Sequence, residues 1–248
     1  MRSANKKMIT TGILALGLVA AIPAAVMAED KPEADLTIGA LSKYVWRGYE
    51  LSKDSVVLQP SMSVSYKGVG VNLWGNLDTD SAAAGDTSKW NETDMTVSYD
   101  GSAGIIGYGA GWIYYALDGV EDSQEFYASI SVDTLLSPTL TVYYDCANYT
   151  GVYVSAAIGH SFGITKDLSL DLGAALGYMD DLDNYSALHD GQLSASMTFP
   201  LTEMISITPE VHYSMPLSTD AEDAIQAASF DGSSDSFVYG GISTSFSF

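Results

Sequence analysis

The chain has 248 residues, with 31 Asp and Glu against 10 Lys and Arg and a formal net charge of −21 at pH 7. Such acidity repels polyanions and excludes nucleic acid as a partner. Intrinsic disorder is excluded as well, because 16 Tyr and an apolar share of 47% give the chain much to bury.

Arg2, Lys6 and Lys7 open the chain, and an apolar run from Met8 to Val26 ends in AVMA before Glu29. A basic start, a short apolar run and a small-x-small end mark a secretory signal peptide. We expect residues 1–28 to be removed and residues 29–248 to form one domain. Cys146 is the only cysteine, so no intramolecular disulfide is possible.

Beyond the leader, apolar and polar residues alternate with period two, the mark of strands. The first segment runs Leu36, Ile38, Ala40, Ser42, Tyr44, Trp46 on one face. Val56 to Tyr66, Val69 to Leu77 and Met95 to Tyr99 follow. Then come Tyr108 to Tyr114, Phe126 to Val132, Leu140 to Tyr144 and Val152 to Phe162. Leu168 to Tyr178, Leu193 to Phe199, Ile205 to Tyr213 and Val238 to Phe248 complete twelve segments. In each, the opposite face carries Ser, Thr, Gly, Asn or acid. No segment reaches the roughly 18 apolar residues of a membrane helix.

A soluble sandwich alternates too, but the segment lengths suit tilted transmembrane strands of roughly 9–11 residues. The even count and the aromatics at segment ends fit a bacterial outer-membrane barrel. The expected fold is therefore all-β, a transmembrane antiparallel up-and-down β-barrel of 12 strands. Connections support this. Those after even segments are short, such as Lys67–Gly68 and the stretches 164–167 and 200–203. The long ones, Asp78 to Asn91, Met179 to Asp190 and Ser214 to Ser236, all follow odd segments. With both termini in the periplasm, long loops then face outward. The terminal Phe248 resembles the C-terminal aromatic signal read by the barrel-assembly machinery.

Three short motifs carry a family resemblance: SKYVWRG, a following QPS, and the hairpin G-VNLWGN-D, all within Leu41 to Asp78. They resemble the start of the TorF-like porins, also catalogued as Gcw-type conserved hypothetical outer-membrane proteins. The motifs cover the first three strands; beyond them the likeness is one of pattern. It implies an outer-membrane barrel named a porin by analogy, and it carries no defined substrate or active site.

On the polar face, lumen-lining candidates are Lys43, Arg47, Gln59, Asn72, Asn76, Asp94, Asp145, Asp171, Gln192, Glu210 and His212. Acids outnumber bases among them, and a ring of carboxylates favours cations. Arg47, the only arginine outside the leader, reads as the counter-charge to this wall, paired with a carboxylate near the outer mouth. Aromatic-girdle candidates are Tyr44, Trp46, Tyr66, Tyr99, Trp112, Tyr114, Tyr178, Tyr213 and Phe248.

The acidic stretch MDDLDNYSALHD lacks the glycine and distal glutamate of an EF-hand loop, so no metal is expected, and no cofactor either. His160 and Ser161 are adjacent, and adjacent strand residues point to opposite faces, so they form no nucleophile–base pair. The expected function is passive diffusion of small hydrophilic solutes, cation-leaning. The expected partners are outer-membrane lipid, lipopolysaccharide and the assembly machinery. The alternatives are a non-conducting barrel that displays acidic loops, and a lipid-modifying enzyme.

Overall fold

A computed structural model describes residues 31–248 apart from Asp86, Lys166, Asp167 and Asp183. The leader, and Asp86 and Asp183 of the acidic loops, lie outside the described residues. Twelve antiparallel strands close into one barrel. They are β1 (Glu33–Leu41), β4 (Val57–Tyr66), β5 (Val69–Ser81), β6 (Thr87–Ala103), β7 (Ile106–Leu117) and β8 (Ser123–Val132), then β9 (Thr139–Asp145), β10 (Gly151–Gly163), β11 (Ser169–Asp180), β12 (Ser186–Pro200), β13 (Ile205–Pro216) and β14 (Phe237–Ser247). Two further strands, β2 (Val45–Trp46) and β3 (Tyr49–Glu50), form a separate small sheet. Closure joins β1 to β14, with Asp35 opposite Ser247 and Leu41 opposite Gly241. Among the described residues the barrel itself has no unpaired edge strand, which a span through lipid requires.

The period-two pattern sets which way each residue faces. Ile38, Met62, Val71, Val97, Ile130, Leu140, Ile158, Leu172, Leu193, Val211 and Ile242 are exposed on the outside. Thr37, Gln59, Ser61, Thr141, Ser155 and Ser243 are buried inside. An apolar exterior around a polar interior is the reverse of a soluble core and matches a barrel held in hydrocarbon.

Three features differ from the sequence expectation. The first strand ends at Leu41, not Trp46, and the chain then turns into the lumen. Two of the anticipated long loops are short, because the strands extend beyond their apolar stretches: β5 runs to Ser81 and β6 starts at Thr87, while β11 runs to Asp180 and β12 starts at Ser186. At the end away from the termini, the substantial connections are those after β1 and after β13. The second contains a helix that period-two reading passed over, α1 (Thr219–Ala228). Ser218 caps it by accepting from the Ala221 N–H at 3.2 Å, and Asp220 and Glu222 sit favourably in its first turn. Ala221 and Ile225, four apart and so on one face, are its buried residues.

Candidate functional site in the barrel lumen

The site begins at a tight turn. Trp46 pairs with Tyr49 across the β2–β3 hairpin, leaving Arg47 and Gly48 as a two-residue loop. Their φ values are 47° and 84°, as a type I′ turn needs. Gly48 is required twice over: its φ is left-handed, and an added Cβ would lie 3.0 Å from both Asp190 Cβ and Ile225 Cδ1. The hairpin is closed by Leu51 N–H donating to Tyr44 O at 2.8 Å, and by Tyr44 N–H donating to Ser52 Oγ at 2.8 Å.

The turn carries Arg47 into the barrel wall. Its Nη1 and Nη2 donate to Glu125 Oε1 and Oε2 at 2.6 and 2.7 Å, a bidentate fork. Tyr115 Oη donates to the same carboxylate at 2.8 Å. The guanidinium carbon lies 4.3 Å from the Trp46 ring centre, 4.7 Å from Tyr143 and 4.3 Å from Tyr153. Tyr153 Oη in turn donates to Asp190 Oδ1 at 2.9 Å. That contact exists because position 177 is glycine: a Cβ there would meet both atoms at 2.4 Å or less.

Other contacts seat the hairpin. Lys43 pairs with Glu50, and with Asp54 at 2.9 Å. Burial alone would lower the Lys43 ammonium, but these two carboxylates outweigh it and hold its pKa above the usual value. Glu50 also accepts the Phe230 N–H at 3.1 Å, tying the hairpin to the segment after α1. Val45 packs with Ile225, Phe237 and Tyr239 in one apolar cluster. His189 lies under Tyr49, with ring centres 4.9 Å apart, and meets Tyr185 Oη at 2.5 Å. His189 and Asp190 both point inward because β12 carries an irregularity opposite Leu176 and Tyr178 of β11.

At this level the barrel is filled. Every barrel strand has a buried inward residue, among them Leu41, Asn76, Glu92, Tyr115, Tyr153, Ser214 and Tyr239. Asp94 stands at this level too, opposite Tyr115, while toward the termini the inner wall is more open, with Asn72, Asp171 and Ser194 partly exposed.

The sequence candidates fall as follows. Lys43 and Arg47 lie in the inward hairpin segment rather than on a barrel strand. Gln59 Nε2 donates to Asn76 Oδ1 at 2.9 Å, and Asn76 Nδ2 to Asn91 Oδ1 at 2.7 Å, a ladder across three strands. Asn72 Nδ2 donates to Ser61 and Ser63 hydroxyls, both at 2.8 Å. Asp145 accepts from Ser123 Oγ and from the Ala147 N–H. Asp171 accepts from Ser169 Oγ at 3.3 Å, and Gln192 Nε2 donates to Asp190 at 3.4 Å. Glu210 meets His212 Nε2 at 2.8 Å and accepts from Ser243 Oγ at 2.5 Å. His212 stacks on Tyr239 with ring centres 4.9 Å apart.

Two girdle expectations are corrected. Tyr44 is 3% exposed and packs inside with Leu41, Val57 and Trp74. Trp46 lies against that cluster and against Arg47. Both leave the lipid face because the chain quits the sheet after Leu41. Tyr66, Tyr99, Tyr213 and Phe248 are exposed, while Trp112, Tyr114 and Tyr178 are half-buried. Trp90, Tyr108, Phe126, Tyr144 and Phe162 are further exposed aromatics outside the girdle candidates. Sequence reading passed over Glu92, Glu125, Tyr115, Tyr143, Tyr153 and Asp190 as site residues. Tyr143, Tyr153 and Glu125 occupy the inward phase of their strands, so a count of inward aromatics and acids was the available signal.

No protein-family model matches the chain, and no curated protein matches it. Solved structures do. The KdgM porin aligns with a TM-score of 0.56 at 11% identity, over 86% of this chain and 99% of that one. The NanC porin gives 0.53 at 14%, over 86% and 98%. An outer-membrane channel from Pseudomonas putida F1 gives 0.52 at 10%, over 91% and 97%. At such identities the likeness is one of fold, and the fold shared is that of outer-membrane porins and channels.

Proposed function

We propose that the chain is an exported outer-membrane barrel of the porin type, a path for small hydrophilic solutes that favours cations. The observation that supports it most is the charge of the inner wall. Asp94, Asp145, Asp171 and Glu210 lie on inward positions of barrel strands, while Lys43 and Arg47 are each already held by carboxylates. Carboxylates in a narrow polar path concentrate cations. KdgM has been solved in complex with disordered oligogalacturonate; a polyanion of that kind is repelled by this lumen. On this reading residues 1–28 direct export, and the strand ending in Phe248 is read by the assembly machinery. The exposed aromatics sit against lipid and lipopolysaccharide, and the TorF-like porins are the fitting group.

The test is reversal potential in planar bilayers under a KCl gradient. Wild-type barrel should favour K⁺, and Asp94→Asn with Asp145→Asn and Asp171→Asn should remove the preference. An unchanged preference would refute the wall assignment.

A second reading, a non-conducting barrel, is favoured by one observation: the hairpin and α1 fill the lumen at the end away from the termini. A correctly folded but silent barrel would select it. A hydrolytic pair of His212 with Ser243 is disfavoured by geometry, since Glu210 stands between them. A nucleophile–base pair needs the imidazole next to the hydroxyl.

A further inference from the structure

We infer that the cage around Arg47 is a binding site for a small planar organic cation of the guanidinium class, which the chain's own arginine fills while the hairpin is seated. This deepens the channel reading and rests on it for its physiological consequence, though not for the binding itself.

The cage divides into two parts. Glu125, Tyr115, Tyr143 and Tyr153 belong to β8, β7, β9 and β10, and so to the closed wall. Arg47 and Trp46 belong to a hairpin that the wall does not include. If the hairpin withdraws, the wall keeps a carboxylate oriented by the Tyr115 hydroxyl and two tyrosine faces 6.1 Å apart between ring centres. It loses its cation. Glu125 is 4% exposed, and a carboxylate so placed demands a counter-charge.

The chemistry of the replacement follows from the geometry. Arg47 uses both oxygens of Glu125 and, of the rings that belong to the wall, the faces of Tyr143 and Tyr153. A planar, weakly hydrated fork does this; a hydrated alkali ion or a compact ammonium does not. The tethered arginine also carries a handicap that a free cation lacks. Arg47 sits at φ 47°, a left-handed conformation that a non-glycine residue adopts at a cost. A guanidinium-bearing solute arriving in the acidic lumen therefore competes with Arg47 and frees the hairpin.

The test uses full-length barrel in detergent, with folding checked by heat-modifiable gel mobility. Arg47→Ala empties the cage. It should bind methylguanidinium chloride saturably by calorimetry, at least about tenfold tighter than it binds KCl, because desolvated cation–π contact is lost with the alkali ion. Adding Glu125→Gln should abolish that binding. Absence of saturable binding to folded Arg47→Ala, or equal binding in the double variant, overturns the inference. Should Arg47→Ala fail to fold, wild-type barrel decides: methylguanidinium must speed tryptic cleavage after Arg47 where equal KCl does not, and equal rates overturn it. Bilayer recordings separate the two proposals. Binding in a silent barrel upholds the site and sinks the channel reading. Cation conduction with no binding sinks the site alone.

Discussion

Arg47 and Glu125, 78 positions apart in the chain, meet inside the barrel through two hydrogen bonds of 2.6 and 2.7 Å. The pair fastens a loop at the end away from the termini to the opposing wall, and so decides whether the lumen is filled. An ion pair this well buried is worth little against an apolar replacement but is costly to break on one side.

Glu125→Gln should therefore unseat the hairpin, at a cost of about 3–5 kcal/mol for the unpaired guanidinium. In the wild type Arg47 is shielded, so trypsin should spare the bond after it. In Glu125→Gln that bond should be cut early, as read by mass spectrometry. Arg47→Met with Glu125→Leu should lose much less stability in urea than Glu125→Gln alone. A single variant as trypsin-resistant as wild type would contradict the latch.

Gly48→Ala tests the turn. The substitution meets Asp190 and Ile225 and places a side chain at φ 84°. Gly232→Ala is the control, because its φ is 68° but nothing lies within 4 Å. Both pay a left-handed strain of roughly 1–2 kcal/mol. Only Gly48→Ala should raise bilayer conductance or tryptic cleavage at the hairpin. Equal behaviour of the two would show that the close packing does not matter.

Ile225→Ala should loosen α1. Its side chain is 1% exposed among Val45, Phe237 and Tyr239. Truncation of a buried isoleucine costs about 2–5 kcal/mol. Because the cluster joins the helix to the hairpin, amide exchange should quicken in both segments while the strands stay protected. Faster exchange confined to α1 would deny the coupling.

The turn after α1 should respond to acid. Asp231 accepts N–H bonds from Ser233 and Ser234, both at 2.8 Å, and a hydroxyl bond from Ser234. The Ser234 hydroxyl first, then these amides, hold its carboxyl well below the usual carboxylate range. A depressed carboxylate stabilises the fold above its unfolded value near pH 4. That contribution is lost as pH falls through the folded value. Exchange at Ser233 and Ser234, corrected for intrinsic rate, should be slow at pH 5 and rise toward pH 2. Asp231→Asn should remove the difference; a wild-type profile in that variant would count against the assignment.

Much of the architecture was legible in the chain. Each of the twelve alternating segments corresponds to a barrel strand, because a pleated backbone turns successive side chains to opposite faces without regard to the rest of the fold. Sequence reading failed where the chain leaves that pattern. Tyr44 and Trp46 continue the outward phase of Leu36, Ile38 and Ala40, so alternation assigns them to lipid. The SKYVWRG stretch instead turns inward, and what signalled the turn was the Arg-Gly pair between Trp46 and Tyr49. In β12, the irregularity that brings His189 and Asp190 to the same side breaks the very periodicity used to assign faces.

Strand number, the facing of most wall residues and the excess of acid are local or additive properties, and the sequence by itself determined them. Which inward residues meet is neither. Tyr153 finds Asp190 only once β10, β11 and β12 are in register, and Glu125 finds Arg47 only after β1 pairs with β14 and the barrel is closed. Contacts across a lumen depend on closure of the whole barrel, and a segment of ten residues holds no information about its partner on the far wall. The tertiary structure decided that the lone arginine of the lumen sits on a turned-in hairpin, held by one carboxylate and three aromatic rings.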